Sequence, residues 1–492
     1  MVNVSMDDLK DLDDNFSHPV DVSQVKFYLQ KGDAKLALHY SQILLAEDPN
    51  QVQVLLFATI AARSIGWLDE AFTYAKNATV IAPEQPAAFS LLGDVLLLQK
   101  KPDIALDILL HAHDLGDHTA QNYFNLGLAY MGLEVFEKAK MHFNHALNIN
   151  PEMVEAWTNL GVVEHSLMRL AEAIKCFDTA LRIDPRNIDA KWNKSHVLLT
   201  QGNYQEGLKL YEIRWQNPKV RLRKRSLSSP LWLGQEDLSG KTLLLHSEGG
   251  FGDTIQFIRY AKLFCKEVDL IIQCQEPLVE LVSNMGLTAK VISQGEPPPK
   301  HDFNCPLISL PLAFGHIPDT VPNFCRYIYP CSDLKQKWEP LIDEIGNLKI
   351  GVMVRGSGSF NEDKRSIDLE KLESYLPFDA GFVLLQKELI ESEEKFIASR
   401  DNWVAPCSDF SGTAAICELL DVVVSVDTSI AHLAAGMGKP TLLLLPFRPD
   451  WRWGYRGNST SWYPSCTILR QTDHNDWKTV LKSIRPAITK MT

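Results

Sequence analysis

The chain has 492 residues, of which 45% are hydrophobic, 22% charged and 9% aromatic. This composition is typical of a globular protein of about three domains, and it excludes a collagen-like or wholly disordered chain. The formal net charge of −12 argues against general binding of nucleic acids, which requires a basic surface. No apolar run is long enough for a transmembrane helix, so no membrane span is expected.

The N-terminus and the cysteines bear on the cellular compartment. The chain starts MVNVSMDDLKDLDDNF, which is acidic, whereas a signal peptide starts with basic residues and an apolar run. The nine cysteines are scattered and form no C-x-x-C pair, so neither a zinc knuckle nor a disulfide framework is indicated. Their odd number fits a reducing compartment. We therefore expect a cytoplasmic protein.

An internal repeat occupies the N-terminal part of the chain. Gly127 and Gly161 are 34 residues apart, and Pro151 and Pro185 repeat that spacing. The period and the pattern match the tetratricopeptide repeat, a pair of helices. The register extends in both directions and predicts an array of six repeats over 18–221, of which the last is degenerate. They are 18–51, 52–85, 86–119, 120–153, 154–187 and 188–221.

The residues at the repeated positions differ in size, and their sizes predict how the helices pack. Small residues such as Ala139 and Ala173 let paired helices approach closely, and large residues such as Phe143 and Phe177 fill the space between pairs. These residues indicate a solenoid and do not identify its ligand. We expect the concave groove of the array to bind a protein or peptide. The basic stretch that follows, at 218–225, is either a solvated linker or a patch for a phosphate or an acidic partner.

Beyond residue 241 the pattern changes to short apolar strands that alternate with helices. Helices are predicted at 254–264, 277–285 and 334–345, the last between two sets of strands. Strands are predicted at 242–245, 268–273, 289–292, 349–354, 381–386, 421–426 and 440–445. Such alternation predicts parallel sheets in two α/β lobes, 222–348 and 349–492. A ligand site is expected in a cleft at the carboxyl ends of their strands.

The first strand–helix junction, HSEGGFGD, is rich in glycine. Gly250 and Gly252 would let the backbone come close to a ligand, but the spacing is neither a dinucleotide fingerprint nor a P-loop. Asp253 lies at or near the start of the following helix. Its position fits two interpretations, a residue that caps the helix or a functional carboxylate.

The second junction, SVDTSIAH, follows a strand predicted to be buried. Asp427 or Thr428 would cap the next helix, whose free N–H groups and dipole would attract a diphosphate. His432 lies about one turn further on and is suited to donate to a phosphate or a ribose. A capped helix with a packed histidine is the alternative interpretation.

Basic residues also follow another predicted strand. Arg355 and Ser357 lie in a glycine- and serine-rich loop that is suited to bind an anion. Lys364 and Arg365 follow, and they would either neutralise a leaving phosphate or lie on the surface of a loop.

Two aromatic segments and the absence of several motifs bear on the kind of site. The segments DWRWGYRG and SWYPS are dense in tryptophan and arginine, which either line a sugar or base pocket or simply pack. No G-x-S-x-G elbow, H-E-x-x-H motif or D-x-D motif at a strand end is present. Neither a hydrolase triad nor a metal site is therefore expected.

Taken together, these segments resemble the C-terminal domain of bacterial tetratricopeptide-repeat proteins, which is similar to glycosyltransferase family 9, the heptosyltransferase-like family. The strings D-T-x-x-x-H-L-A-A-x-x-G-K-P and G-x-G-D-x-x-x-x-x-R-Y carry the resemblance. With the repeats, it covers nearly the whole chain. The architecture also resembles that of the O-linked GlcNAc transferases, which place such repeats before a GT-B catalytic half.

The resemblance implies a GT-B fold of two Rossmann-like lobes and a nucleotide-sugar as co-substrate. It implies an inverting reaction that needs no metal or other cofactor. Asp253 matches the acidic residue that acts as general base in the family, and Glu248 is a second candidate for that role.

Other residues match the donor-binding segments of the family. The matching residues of the phosphate and nucleotide motif are Asp427, Thr428, Ser429 and His432. Lys364 and Arg365 match more loosely a basic segment expected near the diphosphate. The strand-end W-A-G-[SN] of the family reads Val-Arg-Gly-Ser here, at 354–357. The arginine in that loop leaves the identity of the donor open.

Three functions remain open at this point. The first, which we expect, is a glycosyltransferase that modifies a protein recruited by the repeats, for example flagellin or another surface protein. The second is a transferase for a glycan or lipid-linked acceptor, disfavoured because the chain shows no amphipathic membrane segment. The third is a non-catalytic repeat scaffold with a relic GT-B domain. An oligomer is compatible with each of them.

Overall fold

The computed structural model describes residues 20–220, 227–356, 364–406 and 409–492. The chain forms two compact units, Met1–Ala190 and Lys191–Thr492. The described part of the first unit is helical, and the second contains parallel sheets with helices. The division falls inside the sixth repeat, whereas the sequence pattern suggested a division after it, at 221–222. Ser357, Cys407 and most of the basic stretch lie outside the described residues.

Five helix pairs form the tetratricopeptide-repeat solenoid, and each pair coincides with one predicted repeat from 18–51 to 154–187. The pairs are α1 (Val22–Lys31) and α2 (Ala34–Glu47), α3 (Val52–Ser64) and α4 (Leu68–Ile81), α5 (Pro86–Leu98) and α6 (Pro102–Asp114), α7 (Ala120–Gly132) and α8 (Phe136–Ile149), and α9 (Val154–Ser166) and α10 (Leu170–Ile183). A sixth pair follows, α11 (Ile188–Thr200) and α12 (Tyr204–Tyr211).

Glycine sets the distance between the two helices of a repeat. A Cβ atom on Gly127 would lie 2.6 Å from the ring of Phe143, and one on Gly161 would lie 2.6 Å from the ring of Phe177. Both phenylalanines are fully buried. Because real Cβ atoms do not come so close to a ring, only glycine fits these positions without a shift of the helices. The close approach expected from the repeat pattern is therefore confirmed.

Gly161→Val is expected to lower the free energy of unfolding of the solenoid by about 1–3 kcal/mol, because it overpacks a filled contact. Urea unfolding of the full chain, followed by far-UV circular dichroism, measures the change. In a Phe177→Ala background the same substitution should cost less, because the ring that it meets is gone. Strictly additive losses in the two backgrounds would contradict this contact.

The first sheet of the second unit has four parallel strands in the order β3-β2-β1-β4. They are β1 (Thr242–His246), β2 (Asp269–Cys274), β3 (Ala289–Ser293) and β4 (Phe303–Pro306). The helices around this sheet are α13 (Phe251–Phe257), α14 (Val279–Ser283) and α15 (Leu310–Ala313). The helix predicted over 254–264 is α-helical only to Phe257 and continues as a 3-10 helix to Leu263.

The second sheet has six parallel strands in the order β10-β9-β8-β5-β6-β7. They are β5 (Leu348–Met353), β6 (Ala380–Leu384), β7 (Trp403–Val404), β8 (Val422–Val426), β9 (Thr441–Leu445) and β10 (Cys466–Arg470). The remaining helices are α16 (Ser332–Asp343), α17 (Leu369–Glu373), α18 (Glu391–Ala398), α19 (Phe410–Leu419), α20 (Ser429–Gly436), α21 (Trp477–Lys482) and α22 (Ile484–Met491). Two parallel sheets with helices confirm the α/β class.

The end of the sixth repeat belongs to the core of the α/β unit. Trp462 donates its indole N–H to the hydroxyl of Tyr204 at 3.2 Å, and the ring of Tyr211 lies 6.3 Å from that of Trp451. Both tyrosines are buried in the same apolar cluster as the strands. The degenerate sequence of this repeat is therefore explained by the surface on which it packs.

Candidate functional site

The two strand–helix junctions predicted from the sequence lie side by side. Helix α13 follows β1 and has Gly250 as its N-cap, and α20 follows β8 and has Thr428 as its N-cap. A Cβ atom on Gly252 would lie 2.9 Å from the ring of His432 and 3.6 Å from the Cα of Ser429. Because Gly252 has no side chain, the starts of the two helices can touch at this point.

Asp253 has two partners, one for each carboxylate oxygen. Its Oδ2 accepts the backbone N–H of Gly250 at 3.0 Å, so that Asp253 caps α13 and the Gly250 amide is used inside the junction. Its Oδ1 accepts Nη2 of Arg452 at 2.5 Å. The Asp253 side chain is 24% exposed, which leaves part of the carboxylate open to a ligand. Asp253 therefore caps the helix, as one of the two interpretations stated. This role does not exclude a second one as a functional carboxylate.

Arg452 connects two acidic groups at this site. Besides Asp253, it contacts Asp450 at 2.8 Å through Nη1. Burial opposes its charge, but the two carboxylates together raise the pKa of Arg452 well above its usual range. Arg452 is therefore a permanent cation beside the start of α13.

Glu248, the second candidate base, is turned into the core and only 3% exposed. It accepts Nη2 of Arg214 at 2.9 Å and Nε at 3.2 Å. Arg214 also contacts Glu212 at 2.5 Å and Ser309 at 2.7 Å. Burial raises the pKa of Glu248 to about 7, against the opposing effect of Arg214. Glu248 thus joins the end of the last repeat to the first junction. Its partner there is Arg214, and this pairing is a structural role.

Asp427 is buried at the end of β8. Burial, and next the nearby Asp450, raise the pKa of Asp427 to about 6, whereas Trp453 and Arg365 act in the opposite direction. Arg365 donates to the backbone oxygen of Asp427 at 3.0 Å. The structure therefore brings Arg365 to the second junction, the place that the loose match to the glycosyltransferase family implied for it.

The start of α20 has no side-chain cap. Thr428 is the N-cap residue, but its hydroxyl lies 3.2 Å from that of Ser425 in the preceding strand. The backbone N–H groups of Ala431 and His432 donate to the Thr428 carbonyl at 3.1 and 3.4 Å. Those of Ser429 and Ile430, at the start of the helix, are left without a cap from the Thr428 side chain. Such groups, with the helix dipole, favour an anion.

His432 lies in the first turn of α20, and only 5% of its surface is exposed. Its Nδ1 is 2.8 Å from the hydroxyl of Tyr463, and its ring stacks on Trp453 at a centroid distance of 4.9 Å. Burial, together with Arg452 and Arg259, lowers the pKa of His432 to about 3. The imidazole is therefore neutral at physiological pH.

Arg355 is placed differently from the prediction of an anion-binding loop. Its Nε and Nη2 each lie 3.0 Å from a carboxylate oxygen of Glu393, and both side chains are largely buried. Glu393 in turn accepts the N–H of Ile390 at the start of α18. Arg355 thus holds a helix within the lobe. Lys364 lies near Arg448, and burial and then this arginine lower the pKa of Lys364.

Sequence reasoning did not find the residues that link the two junctions. Four rings of the aromatic segments are buried and pack, with Trp451, Trp453, Trp462 and Tyr463 each at most 2% exposed. Their density in the sequence was the available signal, but it did not identify Arg452 as the partner of Asp253. These two residues are separated by 199 positions, and one sequence gives no indication of so distant a contact.

Two kinds of feature are absent from the described residues. No group of three or more histidine, cysteine, aspartate or glutamate side chains there is arranged to hold a metal ion. In the same residues, no helix combines the length and the apolar character needed to cross a membrane.

Comparison with known proteins agrees with the repeat structure of the first unit. Residues 120–153 and 154–187 each match a family model of the tetratricopeptide repeat. The protein therefore combines a tetratricopeptide-repeat solenoid with an α/β unit of two parallel sheets.

Among individual proteins, the chain is similar to Protein FlbA of Caulobacter vibrioides (strain ATCC 19089 / CIP 103742 / CB 15), with 20% identity over 327 residues. The match covers 60% of this chain and 54% of that protein, so the chain spans about half the length of this curated relative. MamA of Desulfovibrio magneticus RS-1 is 25% identical with a TM-score of 0.30, over 33% of this chain and 91% of that structure. A thermophilic TPR protein of Thermus thermophilus is 20% identical with a TM-score of 0.33, over 36% of this chain and 98% of that structure.

Proposed function

We propose that the protein is a glycosyltransferase that moves a sugar from a nucleotide-sugar to an acceptor, without a metal and with inversion. The observation that supports this proposal is the uncapped start of α20, which touches the start of α13 at Gly252. Both helices begin at the carboxyl ends of parallel strands, where α/β proteins commonly bind nucleotides. The two lobes would then form a GT-B fold, with the diphosphate of the donor at α20.

Cationic groups supplement the helix dipole in this proposal. A helix N-terminus supplies only about half a positive charge, whereas a leaving nucleoside diphosphate carries at least two negative charges. Arg452 lies beside the start of α13, and Arg365 contacts the residue before the N-cap of α20. In this proposal the two arginines would share the charge with the amides at the start of α20.

The reaction would be a single displacement at the anomeric carbon. An acceptor hydroxyl or amide forms the new bond to that carbon, the bond to the diphosphate oxygen breaks, and Asp253 takes the acceptor proton. Each oxygen of Asp253 already accepts one hydrogen bond. A carboxylate has about four acceptor positions in total, so each oxygen keeps one for the acceptor.

We further propose that the acceptor is a protein, such as flagellin or another surface protein, recruited by the repeats. Tetratricopeptide-repeat solenoids present an extended concave surface suited to polypeptides. Incubation with a labelled nucleotide-sugar and candidate acceptor polypeptides, followed by mass spectrometry of the products, tests this step. Transfer to glycans or lipid-linked acceptors alone would contradict it.

A non-catalytic scaffold is the second candidate, and one observation favours it. Asp253 already caps α13 and pairs with Arg452, so its presence is explained by structure alone. In this alternative the α/β unit is a relic that has lost its ligand, and the repeats carry the function.

A thermal-shift screen of the full chain against nucleoside diphosphates and nucleotide-sugars, with and without EDTA, tests the proposed function. A ligand at 100 times its Kd should stabilise the protein by about 2.7 kcal/mol. We expect stabilisation that EDTA does not remove. No stabilisation by any donor would favour the scaffold, and stabilisation that EDTA abolishes would contradict a metal-independent site.

Two glycine variants locate the ligand in that screen. Gly252→Val places a side chain against His432 and the first turn of α20, and it should abolish the stabilisation. Gly295→Ala is the matched control, because its Cβ would meet only the Ser293 hydroxyl, at 3.8 Å. Equal stabilisation of the two variants would place the ligand elsewhere.

A further inference from the structure

A buried chain of side chains starts at His432 and contacts the backbone of α13. The Tyr463 hydroxyl is 2.8 Å from His432 Nδ1 and 3.5 Å from the hydroxyl of Tyr327. Arg259 donates to the Tyr327 oxygen at 3.0 Å, and its guanidinium lies 4.3 Å from the centroid of the Tyr463 ring. Arg259, Tyr327 and Tyr463 are all at most 1% exposed.

The contacts of Tyr327 decide where its proton lies. Its hydroxyl is 2.9 Å from the backbone oxygen of Ile255, which can only accept, so the Tyr327 proton is used there. Its oxygen in turn accepts from Arg259. Tyr327 is therefore an acceptor towards any further neighbour.

The proton of Tyr463 then has two possible acceptors at unequal distances. Tyr327 is at 3.5 Å, beyond the usual length of an O–H···O bond, whereas His432 Nδ1 is at 2.8 Å. Tyr463 therefore donates to Nδ1.

The second ring nitrogen of His432 faces the candidate site. Burial, with Arg452 and Arg259, lowers the pKa of His432 to about 3, so the ring carries one proton. With Nδ1 as acceptor, that proton is on Nε2. A Cβ atom on Gly252 would lie 3.5 Å from Nε2, so this nitrogen points to the place where α13 and α20 meet.

We propose that Tyr463 is a positioning residue that holds His432 in the Nε2–H tautomer, so that a neutral imidazole donates to the phosphate of a ligand at the start of α20. In the opposite tautomer a lone pair would face the ligand and repel an anion. The role in ligand binding rests on the proposed function, but the tautomer does not.

The tautomer is measured in the full chain labelled with ¹⁵N-histidine, from the shifts of the two ring nitrogens. The His432 signals are assigned by their loss in His432→Gln. We expect a protonated-type shift at Nε2 and an unprotonated-type shift at Nδ1 in the wild type. Tyr463→Phe should give a mixture of tautomers, whereas Tyr329→Phe, a change at a tyrosine that is 41% exposed, should retain the wild-type pattern.

Two results overturn the role of Tyr463. One is a wild-type spectrum with the proton on Nδ1, and the other is an unchanged spectrum in Tyr463→Phe. If the variant does not fold, as judged by circular dichroism, the wild-type spectrum decides alone.

Calorimetric titration with inorganic pyrophosphate measures the consequence for an anion. Tyr463→Phe is expected to weaken binding by about five- to tenfold, the usual effect of one misdirected hydrogen bond. Equal affinity in the variant and the wild type overturns the ligand role. If the wild type binds no pyrophosphate, the anion site of the proposed function fails, and the spectrum still decides whether Tyr463 sets the tautomer.

Discussion

Asp253→Asn is expected to lower kcat for sugar transfer by about 10²–10⁴, the range that a general base contributes. Asparagine keeps an oxygen that can accept the Gly250 N–H, so the cap of α13 is retained. The variant removes the charge that accepts the proton, and it also removes the ion pair with Arg452. Steady-state kinetics with the donor found in the thermal-shift screen measures kcat and KM separately.

Arg452→Gln is the matched control for this prediction. It removes the same ion pair but leaves the Asp253 carboxylate in place. If Asp253 is the base, Arg452→Gln should mainly raise KM for the donor, whereas Asp253→Asn should mainly lower kcat. Equal losses of kcat in the two variants would mean that sugar transfer requires the ion pair and not proton transfer to Asp253. An Asp253→Asn variant with a near wild-type rate would remove Asp253 from the mechanism.

The repeats were predictable because their packing is periodic. The pair Gly161 and Phe177 occupies the same places in its repeat as Gly127 and Phe143 in the repeat before it. The 34-residue period extends this register to the other helix pairs from α1 to α10. The sixth repeat loses the pattern because its tyrosines pack on Trp451 and Trp462 of the α/β unit. A contact with a different kind of surface requires different residues, and periodicity cannot reveal that surface.

The strands at the ends of the sheets were harder to predict than the central ones. The central strands β1, β5, β8 and β9 are rich in apolar residues, and the sequence predicted each to within one residue at either end. The prediction missed β4, β7 and β10, which lie at sheet edges and have between two and five residues, whereas the edge strand β3 was predicted to within one residue. An edge strand has a neighbour on one side only, and its sequence is correspondingly less apolar.

The candidate site was predictable in part for a similar physical reason. Asp253, Asp427 and His432 lie at strand–helix junctions, where local sequence determines the structure. Arg355 follows a strand in the same way, but its guanidinium pairs with Glu393. The direction in which a long side chain turns depends on the charges that the fold brings near it, and these come from distant parts of the chain.

Arg214→Met is expected to destabilise the α/β unit by about 3–5 kcal/mol, the usual cost of removing one partner from a buried ion pair. Arg214 is 1% exposed and Glu248 is 3% exposed, so the remaining carboxylate has little access to water. Nine of the 11 tryptophans lie in the second unit. Urea unfolding followed by tryptophan fluorescence therefore reports mainly on that unit.

The pH dependence of this loss identifies its cause. Burial raises the pKa of Glu248 to about 7 in the folded protein, from an ordinary value of 4.5. The folded state then holds the extra proton, so the contribution of Glu248 to stability is fully present below about pH 4.5 and is lost as the pH rises through about 7. Arg214 opposes this rise in the pKa of Glu248. Without Arg214, therefore, the protein loses more stability as the pH rises. The deficit of Arg214→Met should therefore be greatest above neutral pH and shrink as the solution is acidified.

Glu248→Gln in the Arg214→Met background separates the unpaired charge from the lost packing of the arginine. The glutamine has nearly the same shape and no charge, so the double variant should recover part of the stability and lose the pH dependence. If Arg214→Met costs less than about 1 kcal/mol, or its deficit is the same at acid and alkaline pH, the pair does not hold the last repeat on the sheet. The apolar contacts of Tyr204 and Tyr211 would then be the attachment of that repeat to the α/β unit.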